Sequence, residues 1–145
     1  MPAPLFLTLA EALEIHRDQL ARYGGREGTR DLELLQSALA VPAASFAGRF
    51  LHEGLAEMAA AYLFHIVRDH PFVDGNKRTG VVAALVFLLL NGREFRAPEE
   101  KLAEAVLAVA AGTMSKAELT LFFRKWTKGR GRGDRKERKD WKGKR

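Results

Sequence analysis

Residues 70–80 read His-Pro-Phe-Val-Asp-Gly-Asn-Lys-Arg-Thr-Gly, a run dense in groups that can do chemistry. His70 is a side chain that exchanges a proton near neutral pH. Asp74, four residues on, is a hard oxygen ligand of the kind Mg²⁺ prefers. Helical character resumes after Gly75, so Asn76, Lys77 and Arg78 fall in a first helical turn, where unpaired backbone N–H groups and the helix dipole favour phosphate. Cations are mildly unfavourable there unless an anion is present, so Lys77 and Arg78 point to an anionic ligand. A proton acceptor, a metal carboxylate and an anion hole thus fall within nine residues. That is what moving a phosphate-containing group onto a hydroxyl requires. Taken singly, each residue has a plainer reading: a lone histidine is most often packed or solvated, an Asp before Gly is most often a turn residue, and Lys-Arg at a helix start is most often solvent-facing. The combination carries the inference. Phe72 reads as an apolar anchor fixing the loop, and Thr79 as a structural hydroxyl, with a cap or phosphate contact as the lesser reading.

The elements around this segment are helical. Leu9, Leu13, His16, Leu20 and Tyr23 recur at helical spacing behind a Thr8–Glu11 capping box, and Gly24-Gly25 ends the helix. Asp31 is a good N-cap for a short second helix to about Ala40, which Pro42 terminates. Residues 43–52 read as an irregular or extended surface loop. A central helix from about Glu53 to Asp69 leads into the reactive segment. The next helix, to Leu90, is apolar nearly all round and is expected in the middle of the bundle, surrounded by the others. Pro98 opens a fifth helix closed at Gly112, and a Ser115–Glu118 capping box opens the last, to about Trp126 or Lys128. The expectation is an all-α, compact bundle of about six helices. His16, on the apolar face of the first helix, reads as a satisfied core histidine, with a second functional base as the lesser reading.

At 145 residues the chain has the size of one domain. It contains no cysteine, which excludes disulfides, thiolate metal sites and a cysteine nucleophile and fits a reducing compartment. The apolar run Val81–Leu90 is too short for a bilayer, which needs about 20 residues. MPAPLFLTLA lacks the basic start of a secretory signal. A soluble, cytoplasmic protein without membrane contact is the expectation. The net charge of +6 is concentrated at one end: residues 128–145 carry net +7 and residues 1–127 net −1. The chain accordingly divides into a helical domain, 1–127, and a basic tail, 128–145. The tail has early glycines, charge throughout and one aromatic, Trp141, so it is expected to be disordered in isolation. It is a candidate contact for nucleic acid or the ribosome, with a solubilising end as the plainer reading.

HPFVDGNKRTG resembles the signature of the Fic/Doc superfamily, specifically its death-on-curing branch of toxins from toxin–antitoxin modules. Coincidence at seven such positions is expected about once in 10⁹ windows. The likeness extends over residues 5–127 through Ile15-His16, Tyr23-Gly24-Gly25, Phe87-Leu88, Asn91-Gly92 and Ala111-Gly112. The adenylyl-transferring Fic branch has a pattern like HPFx(D/E)GNGRxxR. Lys77 stands here in place of its glycine and Val81 in place of its second arginine, and both departures resemble the death-on-curing branch. Many sequences of that branch carry alanine where this chain has Gly75.

The resemblance implies a protein kinase that moves the γ-phosphate of ATP to a threonine of elongation factor Tu and halts translation, with Mg²⁺ as cofactor. It implies His70 as general base and Asp74 as the Mg²⁺ ligand. Gly75, Asn76, Lys77 and Arg78 correspond to phosphate-binding positions, and Arg68 matches an arginine of the branch placed near the nucleotide. The loop 43–52, with Phe46 and Phe50, falls where superfamily members have a substrate-aligning flap. The implied partner is a cognate antitoxin whose disordered segment folds onto a groove of the bundle. Two alternatives stand beside this reading: an adenylyl or other nucleotidyl transferase, favoured by Gly75 and opposed by Lys77 and Val81, and a non-catalytic module that binds RNA or a protein partner.

Overall fold

The computed structural model describes residues 3–129. Residues 130–145 lie outside the described part, and with them most of the basic tail and the expectations about its order and its nucleic-acid contacts. The described chain runs α1 (Leu9–Tyr23), α2 (Leu32–Ala40), a 3₁₀ turn (Val41–Ala43), β1 (Ser45–Phe46), β2 (Arg49–Phe50), α3 (Leu55–Asp69), α4 (Asn76–Leu90), β3 (Arg93–Phe95), α5 (Glu99–Ala111), α6 (Lys116–Trp126) and β4 (Thr127–Gly129). It is a six-helix, mostly α fold with two small sheets.

Local chemistry sets the helix starts. The Thr8 hydroxyl accepts the Glu11 N–H at 3.1 Å while the Glu11 carboxylate accepts the Thr8 N–H at 2.8 Å. Ser115 and Glu118 repeat this at α6, and the Asp31 carboxylate accepts the Leu34 N–H at the head of α2. Each arrangement answers donors that the first helical turn leaves without partners.

The helix at the centre is α3, packed against α2, α4, α5 and α6. It lies close to α4 because small residues face each other: Ala59, Ala60, Ala83 and Ala84 are fully buried, and a Cβ at Gly80 would stand 2.9 Å from Val67. Tyr62, Phe87 and Phe123 fill the remaining core. Truncating a buried ring of this size costs about 3–5 kcal/mol. The expectation that α4 is surrounded is corrected here. One face of α4 is buried, but Val81, Val82 and Leu85 line an open groove of about 700 Å³ with Leu102, Val106 and Leu107 of α5. An all-round apolar pattern does not tell a covered face from a face awaiting a partner.

The loop at 43–52 contains the β1–β2 hairpin, whose turn residues Ala47 and Gly48 both take positive φ, as the tightest hairpin turns require. The other sheet joins β3 to β4 with Arg93 opposite Gly129 and Phe95 opposite Thr127. Phe95 stacks on Phe123 at 4.4 Å, which ties this sheet to the core. No helix among the described residues is long and apolar enough to cross a membrane.

Candidate active site

The reactive segment is the turn between the two tightly packed helices α3 and α4. α3 ends at His70, whose backbone takes the left-handed conformation, φ 53° and ψ 54°. A residue with a Cβ resists that conformation, so the surroundings must hold it. Phe72 is completely buried, and Asn76 brackets it: the Phe72 N–H donates to Asn76 Oδ1 and Asn76 Nδ2 donates to the Phe72 carbonyl, both at 2.9 Å. The His16 ring lies parallel to the Phe72 ring, with centroids 3.8 Å apart and planes 6° from coplanar. Its Nε2 donates to the Asp74 carbonyl at 2.8 Å, a bond that requires the proton on Nε2. His16 is thus a packed histidine that supports the loop from beneath.

Asp74 is held by backbone. Its Oδ2 accepts the Arg26 N–H at 3.0 Å and its Oδ1 the Gly75 N–H at 2.9 Å. These two donors, Arg26 first, hold the carboxyl below the usual carboxylate range, so it stays ionised at neutral pH. Each oxygen keeps a lone pair for a cation. Gly75 follows in a left-handed conformation, φ 79°, and its carbonyl accepts the Thr79 N–H. The N–H groups of Asn76, Lys77 and Arg78 precede that first intrahelical bond and have no helical acceptor. They stand at a cavity of about 330 Å³ lined by His70, Asp74, Lys77 and Arg78. That volume accommodates a short polyphosphate chain.

The same two cations, Lys77 and Arg78, also line the mouth of the apolar groove between α4 and α5. Arg78 donates from Nη2 to the Gly24 carbonyl at 2.9 Å, and its guanidinium lies 5.5 Å from the Tyr23 ring. The end of α1 therefore forms one wall of the site.

Residues 6–88 match the Fic/DOC family. The chain belongs to that family. It is 43% identical over 75 residues to a protein named Toxin Doc from Mycolicibacterium smegmatis, an alignment covering 52% of this chain and 58% of that protein. It is 35% identical over 106 residues to the Protein kinase doc of Escherichia phage P1, covering 72% of this chain and 82% of the phage protein.

Within this Fic/DOC fold, the residues singled out from the sequence are not all brought to one place. His70, Asp74, Gly75, Lys77 and Arg78 converge on the cavity, joined there by the backbone of Asn76. The Asn76 side chain is buried and committed to Phe72, so what it contributes at the cavity is its N–H. Arg68 is placed elsewhere: its Nη1 donates to the Val109 carbonyl at 3.3 Å, at the C-terminal end of α5. Thr79 is fully buried with no hydrogen-bond partner for its hydroxyl among the described residues. Among those residues no cluster of three or more His, Asp or Glu could hold a metal by itself. A Mg²⁺ ion at Asp74 would be shared with phosphate oxygens, the usual arrangement for this metal.

The backbone of residues 25–29 also borders the site, which its sequence does not signal. Its Gly25 lies so close to the site that a Cβ there would stand 2.9 Å from Asp74 Oδ2. Thr29 pairs with Phe72 as an antiparallel bridge, and the Val73 N–H donates to the Gly28 carbonyl at 3.0 Å. In the sequence, Gly24-Gly25 marks the end of a helix and belongs to the family likeness, and neither signal discloses this close approach to Asp74.

Proposed function

We propose that this chain is the toxin of a toxin–antitoxin module and acts as an ATP- and Mg²⁺-dependent kinase-type phosphotransferase. Its acceptor in this reading is a threonine of elongation factor Tu, and the consequence in the cytoplasm is arrest of translation. The observation that carries the proposal is the cavity at the head of α4, where an exposed histidine, an ionised carboxylate, unpaired N–H groups and Lys77 face one space. His70 is the general base, its ring exposed at the cavity to receive the hydroxyl proton of the acceptor. The backbone at Asn76, Lys77 and Arg78 holds phosphate oxygens, and the Lys77 ammonium draws the terminal phosphate toward His70. Asp74 provides the protein's ligand for the metal, which when bound supplies neutralisation of charge on the phosphates. The β1–β2 hairpin, with Phe46 76% exposed at its tip, offers an edge against which an acceptor segment can lie.

The relatives' names support this reading, one being a Toxin Doc and the other a Protein kinase doc. They also support control by a cognate antitoxin. The apolar groove beside α4 and α5, with Lys77 and Arg78 at its mouth, suits an antitoxin segment that is disordered alone and folds as an amphipathic helix on binding. Gly75, shared with the adenylyl-transferring branch, favours the second reading, transfer of an adenylyl group to a protein hydroxyl.

Parallel incubations of elongation factor Tu with ATP labelled at the γ- or the α-phosphate separate the two. Label arriving from the γ position alone supports the kinase reading. Label arriving from the α position overturns it in favour of adenylylation.

A further inference from the structure

Where α3 runs out, the carbonyls of Asp69, His70 and Pro71 follow one another with no continuing helix to supply donors. One residue of the α1–α2 loop takes all three. Arg30 Nη2 donates to the Asp69 carbonyl at 3.0 Å, Arg30 Nε donates to the His70 carbonyl at 2.7 Å, and the Arg30 N–H donates to the Pro71 carbonyl at 2.7 Å. The Asp31 N–H adds a second bond to Pro71 at 3.0 Å. A full positive charge at this end of α3 also complements the negative end of the helix dipole. The guanidinium is planar and its donors are fixed in a fork, so two bonds to successive carbonyls fix the orientation of both peptide planes. The plane between Asp69 and His70 and the plane after His70 together define the left-handed φ and ψ of that residue. Those two angles set the direction in which the His70 side chain leaves the backbone.

We propose that Arg30 is a positioning residue of the transfer site: its forked hydrogen bonds to the Asp69 and His70 carbonyls hold His70 in the left-handed conformation that aims its imidazole into the cavity. Without the fork, His70 relaxes toward the right-handed or extended backbone that a residue with a Cβ prefers, and its ring turns away from the acceptor. The phosphate-binding N–H groups belong to α4, and Arg30 touches none of them. Loss of Arg30 therefore acts on the chemical step and spares nucleotide binding. The inference rests on the reading of His70 as the base, so its test includes a measurement independent of activity.

Arg30→Ala removes both side-chain bonds, and Arg30→Lys keeps the charge but can supply only one well-directed donor. On the full chain, the ¹³Cα and ¹³Cβ shifts of His70 and the exchange rate of the Val73 amide report the loop, and a thermal melt reports the fold. Transfer from ATP and Mg²⁺ to elongation factor Tu gives kcat and KM. In Arg30→Ala, the His70 shifts leave the left-handed range, the Val73 amide exchanges faster, kcat falls about 100-fold and KM for ATP stays within about twofold. Arg30→Lys recovers part of kcat. His70 shifts that do not move in Arg30→Ala overturn the proposal, as does a wild-type kcat or a loss confined to KM. If Arg30→Ala does not fold, Arg30→Lys decides by the same shifts and the same kcat. If the wild-type chain transfers nothing to elongation factor Tu, the kinase reading fails, and the His70 shifts still decide whether Arg30 sets the loop.

Discussion

Gly25 and Gly75 both lie beside Asp74, and replacing each by alanine separates backbone strain from displacement of the Asp74 carboxylate. Both have positive φ, 127° and 79°, so each alanine carries a backbone penalty of about 1–3 kcal/mol. The spaces around them differ. A Cβ at Gly75 meets Leu20 at 3.4 Å and the His16 ring at 3.6 Å, ordinary contact distances. At Gly25 the new atom stands 2.8 Å from Leu20 Cδ2, 2.9 Å from Asp74 Oδ2 and 3.3 Å from Arg78 Nη2. Leu20 can turn aside, but Asp74 Oδ2 is pinned by the Arg26 N–H, and moving it breaks that bond, a further loss of about 1 kcal/mol. Gly25→Ala is therefore expected to destabilise by about 2–4 kcal/mol and Gly75→Ala by about 1–3 kcal/mol in urea unfolding. Calorimetric titration with ATP, with and without Mg²⁺, reads the site. Gly75→Ala should keep the Mg²⁺-dependent gain in affinity, and Gly25→Ala should lose most of it. Equal losses of stability and of Mg²⁺ dependence in the two variants would refute the claim that close approach of the 24–26 backbone organises Asp74.

Three other outcomes follow from the same structure. Because the Asp74 carboxyl is held below its ordinary value, its contribution to stability is present above about pH 3.8 and disappears as pH falls through the lower folded value. Acid unfolding of Asp74→Asn should consequently be shallower than that of the wild type below pH 4, while the acid limb of activity should belong to another group. His52 and His65 are both shifted down, by burial first and then by the neighbouring Lys116 charge, so stability should fall as pH drops below about 6.5, and Lys116→Met should weaken that dependence in pH-resolved melts. The Tyr62 hydroxyl accepts the buried Leu7 N–H at 2.9 Å, and Tyr62→Phe is expected to cost about 1–3 kcal/mol in denaturant unfolding with transfer unchanged.

The parts legible in the sequence are those set by local chemistry. The capping boxes at Thr8 and Ser115, the Asp31 cap and the glycine at the end of α1 each act within one helical turn, so their signals lie within a few residues. The loop at 70–78 was legible for the same reason, since proton acceptor, carboxylate and helix start are adjacent in the chain. The pairing of β3 with β4 was not, because it joins Arg93–Phe95 to Thr127–Gly129 across two helices and neither segment alternates long enough to announce a strand. Arg30 and the 24–26 backbone were hidden similarly: their partners lie 39 to 48 residues away, and an arginine before a helix cap looks like a solvated charge until α3 is placed against it. For Arg68, position along the chain beside His70 misled, because the helix turns its guanidinium toward the end of α5. For Asn76, the residue type suggested a ligand contact that the fold gives instead to its own loop.

Intact mass spectrometry of elongation factor Tu incubated with ATP and Mg²⁺ and either the wild-type chain or His70→Ala tests phosphoryl transfer through His70 most directly. His70 is exposed, so its replacement should leave the fold intact, as a matching thermal melt would confirm. The expected result is addition of one phosphoryl group by the wild type and none by the folded variant. Addition of an adenylyl group, no addition by the wild type, or undiminished phosphorylation by His70→Ala would contradict it.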